Sequence, residues 1–161
     1  KAVCRADIDL RDQTPGWKFA EHEMRGVPVR IEIGPKDIEA GQAMVARRDT
    51  GEKMTVALDA LETEIPKLLE TIQKDMLERA RVHRDEHTYS VTTMDEMMDV
   101  AENKPGFIKA MWCEDQACED LIKEKYSATS RCMPFAQEEI SDVCPICGKP
   151  AKHMIYWGVA Y

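Results

Sequence analysis

Four cysteines in two short pairs, Cys113-x4-Cys118 and Cys144-Pro145-Ile146-Cys147-Gly148, constrain the C-terminal half of this chain more than any other feature. Two pairs of soft thiolate donors at this spacing suit a tetrahedral zinc site, each pair making a tight turn around one shared ion. Pro145 stiffens the second turn, and Gly148 lets the backbone curl so that its N–H groups point at the sulfurs. The competing reading is two disulfides or buried thiols. Residues 1–10 mix charged and apolar side chains and read as neither signal nor transit peptide. Cysteine pairs in a chain without a secretory signal point to a metal, and the expected setting is a reducing cytoplasm. Cys4 and Cys132 are left over, each read as a small buried hydrophobe.

With 161 residues the chain has room for one sizeable domain or two small ones. No apolar run approaches the ~20 residues needed to cross a bilayer. The net charge of −8 argues against a protein that holds nucleic acid by bulk electrostatics. Its distribution is uneven. Residues 1–58 balance ten Lys/Arg against ten Asp/Glu, whereas residues 59–161 set twelve against twenty. A nucleic-acid site therefore belongs in the neutral N-terminal part and works through specific contacts.

Both halves alternate strand and helix signals, which predicts an α/β fold for each. Residues 2–10 read as an imperfect strand, broken by Thr14-Pro15-Gly16, and 18–24 as a short helix stopped by Gly26. Residues 27–33 are the clearest strand, with Val27, Val29, Ile31 and Ile33 on one face and Arg30 and Glu32 on the other. A short helix opens at Lys36-Asp37, and strands 44–48 and 53–58 form a hairpin around Asp49-Thr50-Gly51-Glu52. A long helical segment follows Asp59, with Pro66 predicting a break near Glu64. The boundary between the units is placed at 78/79. Beyond it the pattern predicts helices over 93–102 and 118–126, and strands over 107–112, 131–135 and 154–159.

Candidate binding residues gather where the strand ending in Ile33 meets Gly34-Pro35-Lys36-Asp37, since ligands of open α/β sheets sit beyond strand ends. Glu32 stands there as an acceptor beside Arg30 and Lys36, although a solvated strand face with a weak Arg–Glu pair is the plainer reading. Arg47 and Arg48, with Lys53 across the turn, form a compact basic cluster suited to phosphates or stacked bases, or to nothing more than a solvated hairpin end. Histidines 22, 83, 87 and 153 are scattered; His153 is a weak competitor for the metal, because four cysteines already complete its shell. No catalytic motif is readable: there is no G-x-S-x-G, no Gly-rich phosphate loop and no Cys–His pair.

The segments Asp12-Gln13-Thr14-Pro15-Gly16-Trp17-Lys18-Phe19 and Glu23-Met24-Arg25-Gly26-Val27-Pro28-Val29-Arg30-Ile31-Glu32-Ile33-Gly34-Pro35-Lys36-Asp37 resemble prolyl-tRNA synthetases of the archaeal and eukaryotic type, which some bacteria also carry. Gly41-Gln42-Ala43, Arg47-Arg48-Asp49, Cys132-Met133-Pro134-Phe135, the cysteine pairs and Tyr161 continue the likeness in one register. The resemblance implies a class II, mixed-sheet anticodon-binding domain over 1–78, lacking its first strand and helix and so leaving a sheet edge exposed. A small α/β zinc-binding domain over 79–161 follows. It also implies an ATP-dependent ligase for proline and tRNA(Pro), with ATP and magnesium held by a catalytic domain of the same polypeptide, and a homodimer in the full-length enzyme.

Every proline anticodon carries two guanines, whose Watson–Crick edge offers donors to a carboxylate and an acceptor to Lys or Arg. On that footing the RNA-binding residues are Glu32, Lys36, Asp37, Arg47 and Arg48, and the metal ligands are Cys113, Cys118, Cys144 and Cys147. Four thiolates leave no open position, so the zinc is expected to be structural and to hold Tyr161 in place. The alternatives are a free-standing zinc-ribbon module and a thiol redox protein using Cys144 and Cys147.

Overall fold

Thr14 and Pro15 start the first helix of the computed structural model, which describes residues 4–159. Thr14 caps helix α1 (Pro15–Met24) by accepting from the Trp17 N–H, and Pro15 occupies the first turn, where a missing N–H is harmless. The helix thus opens three residues earlier than the pattern predicts, because Thr14-Pro15 acts as a start signal as well as a stop. Of the expected strand over 2–10, residues 2 and 3 lie outside the described residues, and 4–10 form no strand. Asp7 and Asp9 there accept from the backbone N–H groups of Ile8 and Arg11, an alternative to ladder pairing.

The chain divides into two units, Lys1–Arg79 and Ala80–Tyr161. In the first, strands β1 (Val29–Glu32), β2 (Gln42–Arg47) and β3 (Lys53–Ala57) form an antiparallel sheet in that order. A short helix α2 (Pro35–Glu39) joins β1 to β2. Ala43 and Val45 on the central strand are fully buried. The aliphatics of β1 are not: Ile31 is 42% exposed and Ile33 51%. Among the described residues β1 pairs only with β2, and its expected core face is the more exposed of its two, with Arg30 and Glu32 the better covered pair.

Helix α3 (Leu61–Glu86) runs unbroken through Pro66, contrary to the predicted break. Pro66 sits close to the helix start, where it removes a single bond to the carbonyl four residues back. Asp75 and Arg79 of this helix reach the hairpin. Arg47, 8% exposed, forms a two-pronged pair with Asp49 at 3.0 and 2.8 Å and a further bond to Asp75 at 2.8 Å. Arg79 adds a contact to Asp49 at 3.2 Å.

The Arg47 guanidinium holds Asp49 below its ordinary value of 3.8. This stabilisation is complete above that unfolded value and is lost as pH falls through the lower folded one. The stability gap between the native chain and Asp49→Asn should therefore be wide at pH 7 and narrow steadily below pH ~4. A gap in melting temperature that is the same at pH 7 and pH 3 would refute this.

The second unit has a four-stranded sheet in the order β4 (Thr88–Ser90), β5 (Phe107–Trp112), β7 (His153–Val159), β6 (Ala128–Cys132), parallel between β4 and β5 and antiparallel elsewhere. Helix α4 (Met94–Asn103) is opened by a capping box between Thr93 and Glu96. The backbone N–H groups of Thr92 and Thr93 hold the Glu96 carboxyl below the usual range. Helix α5 (Gln116–Tyr126) starts at Asp115 and ends at Ser127 in a left-handed conformation. That turn launches β6 at once, so the strand occupies 128–132 and not 131–135; Pro134 has no N–H for a ladder. Met97, Val100, Ile108, Ala110, Ile122, Ile155 and Trp157 form the core, and full burial of a large apolar side chain stabilises by about 1.5–3 kcal/mol.

Candidate nucleic-acid interface and metal centre

Glu32 closes β1 with its carboxylate a quarter exposed. It accepts from Arg30 Nε at 3.0 Å and lies 3.4 Å from Lys53 Nζ, a cation two strands away. Arg30 is itself held, lying 3.8 Å over the Phe19 ring and donating to Glu23 at 2.6 Å. Just beyond, Asp37 accepts from the Gly34 N–H at 2.9 Å, so one of its oxygens is committed to starting α2. Lys36 is exposed, and its ammonium has no partner among the described residues. Glu32, Lys36 and Asp37 thus share one end of the sheet.

The two arginines do not join them. Arg47 stands opposite Val29 and Glu32 opposite Met44, a separation of about 10 Å along the strand. Arg47 is buried by Asp49 and Asp75, which commits its guanidinium to the scaffold. Arg48 is exposed but ties α1 to the hairpin by donating to the Glu23 carbonyl at 2.7 Å. A shallow depression lies beside it, lined by Phe19, His22, Arg30 and Arg48 among others. His22 is anchored at 2.9 Å to Asp9, whose carboxyl the Arg11 guanidinium pulls well below the usual range. Sequence reasoning noted Lys53 only as a neighbour of the arginines. Its alternation on β3 would have placed it on Glu32's side of the sheet.

The four cysteines converge, as their spacing predicts. Their sulfurs all lie within 4.8 Å of one another. Cys113 Sγ is 3.7 Å from Cys118 Sγ and 3.5 Å from Cys147 Sγ, close to the ~3.8 Å edge of a tetrahedron with metal–sulfur bonds of ~2.3 Å. Cys144 and Cys118 are buried, and burial is the first cause raising both thiols. Cys147 is exposed and lowered, chiefly by the Lys149 backbone N–H. Gly148, at φ +70°, closes the second turn by donating to the Cys144 carbonyl at 2.9 Å. Four soft donors with N–H groups aimed at them are suited to hold a metal ion.

His153 is not in the cluster; its Nε2 lies 2.7 Å from Glu114 Oε1. Cys4 is half-buried and Cys132 exposed. The latter corrects the expectation of a buried thiol: Cys132 ends β6 at an irregularity in its pairing with β7. Tyr161 lies outside the described residues.

Comparison with known proteins agrees with this arrangement. A family described as "Anticodon binding domain" matches residues 1–68, and one described as "Prolyl-tRNA synthetase, C-terminal" matches residues 94–161. The proline–tRNA ligase of Lachnospira eligens is 66% identical over 160 residues, 99% of this chain and 33% of the relative. That of Clostridium novyi is 61% identical over 159 residues, with the same two shares. The chain thus spans about a third of the length of these relatives. A crystal structure of prolyl-tRNA synthetase from Cryptosporidium parvum, complexed with L-proline and AMP, superposes with a TM-score of 0.87 at 39% identity. It covers 98% of this chain and 34% of that one. The chain belongs to the prolyl-tRNA synthetase family and corresponds to its anticodon-binding and C-terminal regions.

Proposed function

We propose that residues 1–78 read the anticodon of tRNA(Pro) and residues 79–161 form a zinc-fastened domain, within a ligase that joins proline to that tRNA using ATP. The observation that carries the reading is the pair of family matches in one register, with four converging sulfurs inside the second. ATP and magnesium belong to a catalytic region of the longer polypeptide, which acts in the cytoplasm as a homodimer.

Glu32 accepts the donor edge of an anticodon guanine. Lys36 or Lys53 meets the guanine oxygen, Asp37 and Arg48 bind beside them, and Arg47 holds the hairpin that carries Arg48 and Lys53. The metal is structural: zinc bound by Cys113, Cys118, Cys144 and Cys147 crosslinks the two turns and has no open position for a substrate.

In the full-length ligase, Glu32→Ala should lower discrimination between guanine and adenine in the anticodon by about 10–100-fold. Binding of proline tRNA and of its guanine-to-adenine variants measures it. Unchanged discrimination would remove Glu32 from the reading.

A further inference from the structure

The two cysteine turns carry opposite charge. The first holds Glu114 and Asp115 between Cys113 and Cys118; the second is followed by Lys149, Lys152 and His153. These charges pair with one another between the two turns. Lys149 Nζ donates to Asp115 Oδ2 at 2.8 Å, and Lys152 Nζ to Glu114 Oε2 at 2.7 Å. The pairs span 34 and 38 residues and join the two cysteine turns. A backbone bond joins the turns, the Lys152 N–H donating to the Trp112 carbonyl at 2.8 Å, and within the first turn the Trp112 indole N–H donates to the Asp115 carbonyl at 3.3 Å.

Glu114 sits at φ +67°, a left-handed conformation that is strained for a residue with a side chain. A glycine there would relax the turn, yet only a side chain can reach Lys152 and His153. The left-handed turn aims the Glu114 carboxylate at Lys152 and His153. The β5–β7 ladder ends at the pair Trp112–His153, just short of both turns. Beyond that point the turns are joined by backbone bonds, by these side chains, and by whatever the sulfurs bind.

We propose that Asp115–Lys149 and Glu114–Lys152 are a double ionic latch that positions the two cysteine turns for the metal and slows its release. The inference rests on the metal reading above. The four residues are positioning residues; none supplies a donor atom to the ion. Removing a partner that hydrogen-bonds a ligand typically costs about 10–100-fold in metal affinity, and these pairs lie one step further out. These pairs are partly exposed and should act at the low end of that range, with a salt dependence that a buried contact would lack.

The test uses the full chain loaded with zinc, releasing the ion to an excess of a chromogenic chelator. Wild-type protein should carry one zinc. K149Q/K152Q should release it about tenfold faster at low salt, and K149R/K152R at close to the wild-type rate. In 0.5 M salt the wild-type rate should approach that of the glutamine variant. Cobalt-loaded K149Q/K152Q should keep the tetrathiolate absorption of the wild type, which separates faster release from an unfolded site. If the double variant does not fold, K149Q alone should still release zinc about threefold faster. Equal release by wild type and the glutamine variants at low salt overturns the latch while leaving the metal reading intact. Wild-type protein that binds no zinc overturns that reading, and the latch with it.

Discussion

Cys144→Ser is expected to leave the chain unable to retain zinc and to destabilise residues 80–161 by about 3 kcal/mol or more. Cys144 is fully buried, and its neighbours in the cluster are other cysteines together with Trp112 and Ile146. A serine oxygen there replaces a soft thiolate with a hard, shorter donor, and three sulfurs remain around the ion. Without a cation, the buried thiols must stay neutral and packed against one another, as the raised Cys118 and Cys144 already indicate. Trp112 and Ile146 pack against both the cysteine cluster and the main core, so loosening one disturbs the other. For a unit of this size the loss corresponds to a fall of about 12–24 °C in melting temperature. Chelation of the wild type should produce a comparable fall, followed by Trp112 and Trp157 fluorescence. A serine variant with one bound zinc and an unchanged melt would refute the expectation.

Gly106→Ala should destabilise the same unit by about 3 kcal/mol, through backbone geometry alone. Gly106 has φ +141°, and an added Cβ would lie 2.1 Å from the His87 carbonyl oxygen and 2.9 Å from its carbon. Those are main-chain atoms with little freedom to retreat. The same carbonyl accepts the Phe107 N–H at 2.8 Å, immediately before Thr88 and Phe107 begin the parallel pairing of β4 with β5. Moving it would unpick that pairing from its first residue. Gly16→Ala is the control: nothing lies within 4 Å of its added Cβ, and its φ is not positive. There the change should be neutral or stabilise slightly, since alanine favours the helix. Denaturant titration of both variants checks the contrast, and a Gly106→Ala chain within ~0.5 kcal/mol of wild type would contradict the clash.

What the sequence made legible follows the range of the interactions involved. The cysteine pairs were readable because each turn is local and its donors lie within a few residues. Strand 107–112 was readable because it is long enough to show its pattern; β4, with three residues, is not. Residues 4–10 misled because apolar side chains at strand spacing say nothing about whether a partner strand is present. The face of β1 misled for a different reason: alternation shows which residues share a face, not which of the two faces the rest of the unit covers. Arg47 looked like a free cation because one of its partners, Asp75, is 28 residues away. The opposed charges of the two cysteine turns stood in the sequence, but their pairing depends on a fold that brings residues 34 and 38 positions apart together.

Among the described residues β1 pairs on one side only, and its length and flanks decide what that edge can accept. Its far edge has no partner strand among the described residues and lies beside half-exposed aliphatics, the combination that invites strand addition. Yet the strand is four residues long and is bracketed by Pro28 and Pro35, neither of which has an N–H to offer. A strand added at this edge, from the same polypeptide or another, has a rail of only four residues to pair with before the donors run out at a proline on either side.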